Sequence, residues 1–110
     1  MQKTSLTALA EQQLAAARAA SSGRSAHTVH GGHASTLRQT LIALAGGQQL
    51  DEHENPGEAT VHVLHGTVRM TAGDDTCEAT AGEMIVVPDA RHSLQALQDA
   101  VVLLSVAKIG

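Results

Sequence analysis

Seven histidines are the residues of this chain best suited to chemistry. His27, His30 and His33 recur at intervals of three, His62 and His65 form a pair, and His53 and His92 stand alone. An imidazole can ligate a divalent metal, exchange a proton near neutral pH, or hydrogen-bond a ligand. The first group has metal-cluster spacing, but β-branched Thr28-Val29 followed by Gly31-Gly32 predicts a short strand ending in a turn. Strand alternation then parts His27 from His30, so edge histidines are expected there rather than an ion site. Around His53 the acidic Asp51, Glu52 and Glu54 read as a solvated rim, and Asn55 adds an amide two residues on. Arg69 and Arg91 are candidates for holding an anion, although Arg91 faces outward by its parity with His92. Cys77 is the single cysteine, and its neighbour Glu78 disfavours a thiolate, so a small buried or half-buried side chain is expected.

Composition removes several classes of function. A net charge of -4 without basic runs argues against a nucleic-acid surface. Phe, Tyr and Trp are all absent, so base-stacking platforms and aromatic cages cannot form. One cysteine makes no internal disulfide and no Cys-x-x-Cys metal or redox site, which fits a reducing compartment. No stretch approaches the ~18 apolar residues of a membrane span. Glu11, Gln12 and Gln13 break the first apolar run before it reaches signal-peptide length, so a cytoplasmic address is expected. There is no Gly-x-Ser-x-Gly elbow, phosphate loop or dinucleotide fingerprint.

The elements that must position these side chains follow from periodicity. Leu6, Leu9, Ala10, Gln13, Leu14 and Ala17 recur at helical spacing behind a possible Thr4 or Ser5 cap, and Ser21-Ser22-Gly23 stops the helix. Residues 1–23 are thus an N-terminal α-helix that must lie on a sheet of its own subunit or of a partner, and residues 24–110 form one β domain. From Leu37 onward the texture is short apolar runs cut by turns: 37–44, 48–54, 59–64, 67–71, 76–80, 83–87, 92–97 and 101–107. His65-Gly66 joins a hairpin. Residues 83–87 are apolar on both faces, which predicts a covered strand. Regular short strands read as an all-β sandwich or barrel. Its core is Leu, Val, Ile, Met and Ala alone, and such side chains can leave a cavity unfilled.

Two spaced motifs now stand out. Gly47, five residues, His53 and later Gly66 form the first; Gly82, five residues, Pro88 and then His92 form the second, with fifteen residues between Gly66 and Gly82. Together they resemble the two motifs of small single-domain cupins, which implies an antiparallel jelly-roll β-barrel over about residues 37–107. The resemblance further implies a metal held by three histidines and a glutamate. Carried over position by position, His53 and His92 remain, the second histidine of the pair is Asn55, and the glutamate position is Ala59. An amide is a weak ligand for transition metals and alanine is none. Glu58 adjoins the carboxylate position but has the wrong strand parity. Val61 and Val63 share the inward face of Ala59, His62 points outward, and His65 has inward parity at a solvent-facing hairpin tip.

The expected pocket is therefore His53, Asn55, Val61, Val63 and His92. A divalent zinc, iron, nickel or manganese would rest on His53 and His92, with Asn55 or Glu58 as weak additions. The leading expectation is a non-enzymatic sensor or carrier binding a small ligand or metal at the barrel mouth. A metal-dependent dioxygenase or isomerase, and a ligand-free scaffold, are the alternatives. His62 and Leu64 with the Ala-rich helix form an outer apolar surface, and the resemblance implies a homodimer across such a face.

Overall fold

The computed structural model describes residues 1–53 (of His53 the strand position only) and 57–108. Asn55, one of the expected pocket residues, lies outside them, as does Glu54. Among the described residues one helix, α1 (Leu6–Ala19), precedes nine strands: β1 (Arg24–His30), β2 (Leu37–Leu44), β3 (Gln49–His53), β4 (Glu58–His65), β5 (Thr67–Ala72), β6 (Asp75–Thr80), β7 (Met84–Val86), β8 (His92–Ala96) and β9 (Ala100–Ala107). All ladders are antiparallel. The strands form a five-stranded sheet ordered β1-β2-β9-β4-β7 and a four-stranded sheet ordered β3-β8-β5-β6. This is an all-β arrangement of two sheets, as the strand texture predicts, and the jelly roll with an N-terminal helix that the motif resemblance implies.

Two apolar layers hold it. Between the sheets, Leu44, Val61, Val63, Val68, Met70, Leu94 and Val102 form the barrel core. On the outside of the five-stranded sheet, Leu9, Leu14 and Ala17 of α1 pack on Leu41, Ala43, Val101 and Leu103. The helix thus lies on the sheet of its own chain. Its stripe faces inward because Leu9, Leu14 and Ala17 are the positions buried, and Ser5 starts it by accepting from Ala8 N at 3.2 Å. β9 and the 41–44 half of β2 are consequently covered on both faces, which is why they read as nearly unbroken apolar runs. The covered strand expected at residues 83–87 is instead an edge strand. α1 lies over β1, β2 and β9, and leaves Met84 and Val86 exposed at 58% and 67% beside buried Ile85. Cys77 is likewise exposed rather than buried, because β6 ends the other sheet. No helix among the described residues is long and apolar enough to cross a membrane.

Asp99, in the turn from β8 to β9, ties three pieces of chain together. Its carboxylate accepts from Gly46 N at 2.7 Å and pairs with Arg18 Nε at 2.7 Å, joining the end of α1 to two turns at the same end of the barrel. The Gly46 amide, then the Arg18 guanidinium, hold the Asp99 carboxyl below its usual value. A carboxyl whose folded pKa lies below its unfolded one adds stability above the unfolded value, about 3.9, and loses it as pH falls through the folded value. Asp99→Asn is therefore expected to flatten the acid limb of stability below about pH 4. Equal acid limbs for the two proteins in urea melts would disprove this.

Candidate ligand site at the barrel mouth

Three strand irregularities decide where the histidines stand. In β1 the register shifts between Thr28 and His30, so His27 pairs with Leu41 and His30 with Gln39. Leu41 belongs to the helix-facing layer and Gln39 shares its parity, so both histidines share the outer face, correcting the expected separation. Both are exposed. In β4 the shift between Val63 and His65 brings His65 opposite Val101, on the helix side rather than inward. His65 is exposed, and His62, on the outer face, is half-buried.

The third irregularity builds the site. In β3, Leu50 pairs with Leu94, and after a register shift His53 pairs with His92. In an unbroken strand position 53 would fall on the face opposite Leu50. The extra residue restores it to register with a position on the inner face, the role bulges often have near functional sites. His92 itself is buried, at 5% exposure, beside Leu94 and Ala96 of the same inward face. Its Nδ1 lies 2.9 Å from Ala90 O. A carbonyl oxygen only accepts, so Nδ1 carries the proton, and in the neutral ring Nε2 is the acceptor nitrogen. The Pro88–Arg91 turn thereby fixes both the ring's tautomer and its orientation.

Around this pair the walls are aliphatic. Val61, at 4%, and Val63, fully buried, face inward from β4, and Ala59 occupies the same face nearer the mouth. Glu58 is exposed on the opposite parity. β3 ends at His53 and β4 begins at Glu58 at this end of the barrel, away from the Gly46 and Asp99 turns. The arginines singled out for anions are committed elsewhere: Arg69 pairs with Glu78 at 2.6 Å and Arg91 with Glu52 at 2.9 Å, all exposed. The sequence reading missed Arg38, an inner-face residue of β2 whose Nε is buried. Apolar residues on both faces of β2 hid its inward parity.

The fit to a metal is partial. His92 has the anchored tautomer typical of a ligand, but Ala59 puts a methyl group where a carboxylate would complete the set. Among the described residues no group of three or more His, Cys, Asp or Glu converges on a common point. Among the described residues the donor set falls short of the three or four ligands a resident catalytic ion needs.

Comparison with known proteins agrees with this architecture. Residues 40–107 match the Cupin domain family, and the chain belongs to that family. A conserved Streptococcus pyogenes protein of unknown function is 30% identical, with a TM-score of 0.71 over 79% of this chain and 75% of its own. An RmlC-like cupin from Desulfovibrio desulfuricans is 26% identical, with a TM-score of 0.67 over 77% and 82% of the two chains. A cupin superfamily protein from Desulfitobacterium hafniense has a TM-score of 0.71 at 16% identity, covering 78% of each chain. No curated protein matches the chain.

Proposed function

We propose that this cupin binds a small molecule at its barrel mouth without transforming it, as a sensor or carrier, through His92 and His53. The observation that supports the reading is the buried His92, anchored through Nδ1 and paired in register with position 53 above an aliphatic interior. The methyl group of Ala59 at the carboxylate position favours ligand binding over metal catalysis. A weakly held divalent ion is an alternative occupant of the same imidazoles, with Asn55 in reach by sequence. The reading includes a cytoplasmic address, supported by one exposed thiol that a reducing compartment keeps free. It also includes a homodimer, supported by exposed Met84 and Val86 on the outer face of edge strand β7, Met84 in register with half-buried His62 of β4.

The test exploits the missing aromatics, since an absorbing ligand stands out against a protein with none. Purified tag-free protein is examined by native mass spectrometry, ultraviolet–visible absorbance and metal analysis, beside a His53→Ala/His92→Ala double variant. A bound species present in the parent and lost in the variant is expected, with stability changed by less than ~2 kcal/mol. A variant that no longer folds would make both histidines structural and end the proposal. Light scattering on the parent should give twice the chain mass; a monomer at working concentration would remove the dimer.

A further inference from the structure

We infer that the ligand of this mouth is a small organic carboxylate, and that Arg38 binds it. The inference rests on the mouth being a ligand site and names the chemistry of its occupant. Arg38 Nε is shut off from water and has no hydrogen-bond partner among the described residues. A buried N–H left without an acceptor destabilises a fold, and more so when the group is charged. Arginine cannot escape by losing its proton. Arg18, Arg69 and Arg91, by contrast, lie at the surface with carboxylate partners. The more buried Arg38 lacks an acceptor within the described fold.

The location of this buried N–H gives it a meaning. Along β2, Leu41 and Ala43 face α1 whereas Ile42 and Leu44 belong to the barrel core, so Thr40 and Arg38 continue the inward face. Across the sheet Arg38 pairs with Val106, and Val106 pairs with Ala59, forming one row. That row lies at the end of the barrel where β3 stops at His53, in register with His92. Gly31 makes room for the arginine: a Cβ there would lie 3.1 Å from Arg38 Cγ and 2.8 Å from Leu37 O. The row thus carries a positive charge and two apolar side chains, with no acidic residue in it. A cation is disfavoured in such a row, while a carboxylate matches the guanidinium fork and can place its hydrocarbon on Val106 and Ala59.

The experiment titrates ¹⁵N-labelled full-length protein at low salt with monocarboxylates from formate to hexanoate, with their amides, and with Zn²⁺. The Arg38 Nε–Hε signal, assigned by its loss in Arg38→Met, and the His92 ring signals are followed. Saturable shifts of both by at least one acid are expected, with the matching amide about tenfold weaker or worse. Arg38→Met should lose that preference without losing stability, because it removes an unsatisfied group; Arg38→Lys should recover it only in part. Equal binding of acid and amide would overturn the carboxylate assignment while keeping the ligand site. The same follows if Zn²⁺ moves His92 and no acid moves Arg38. Silence from both sets of signals would overturn this inference and the proposed function together. Shifts at Arg38 with His92 unmoved would detach the anion from the mouth and also overturn it.

Discussion

Gly66→Ala should destabilise the protein by at least ~3 kcal/mol, roughly 10–25 °C in melting temperature for a domain of this size. Gly66 closes the β4–β5 hairpin at φ +77°, a conformation that is unfavourable by ~1–2 kcal/mol for a residue with a Cβ. The larger effect is steric. A Cβ at this position would sit 2.1 Å from Asp99 O and 3.0 Å from Ala100 Cα, both backbone atoms that cannot rotate aside. Relief requires the hairpin to leave the β8–β9 turn, where Asp99 holds Gly46 and Arg18. Gly73 is the control: at φ +59° it has the same backbone demand, with nothing within 4 Å of its missing Cβ. Gly73→Ala should therefore lose only ~1–2 kcal/mol. Thermal melts of the two variants settle the matter, and coincident midpoints would show that the approach of Gly66 to Asp99 is not rigid.

Leu41→Ala should remove ~2–5 kcal/mol, and its loss should reach the helix. Leu41 is fully buried on the outer side of β2, in one cluster with Leu9, Leu14 and the fully buried Ala17 of α1. A stripe of three buried residues gives a 14-residue helix little stability of its own. Truncating Leu41 takes contacts from the helix and the sheet at once. Hydrogen exchange should show α1, β2 and β9 amides losing protection together, by the same amount at every protein concentration. Loss of protection in α1 alone, with the melting temperature unchanged, would make the helix an independent appendage. A concentration-dependent loss would place part of its docking surface on a second chain.

Much of this molecule was legible in its residues because the relevant physics is local. Helical spacing from Leu6 to Ala17, with Ser5 ahead and Gly23 behind, defines α1. Turn residues at short intervals define the strands, and the Gly47–His53 and Gly82–His92 spacings mark the family. The inward placement of Val61 and Val63 follows from alternation in a regular strand. Apolar pattern alone misassigned β7, since both Met84 and Ile85 read as core. Only the order of strands reveals that α1 covers the sheet's centre and leaves that edge bare.

The functional face depended on tertiary structure, for a reason visible at three histidines. His30, His53 and His65 each follow a register shift, and one extra residue reverses which face a strand position takes. The parity that separated His27 from His30 and turned His65 inward failed at those points. The pairing of His53 with His92 joins residues 39 positions apart in sequence, and the bulge that aligns them leaves no composition signal. Arg38 was hidden differently: residues 41–44 of β2 are apolar on both faces because helix and barrel cover them, so the strand's sequence could not say which face is the interior. The residues by themselves determined the family, the strands and the identity of two candidate ligating groups. The packed sheets decided which positions meet at the mouth, because facing in a β-strand depends on register, and register is set by the neighbouring strand.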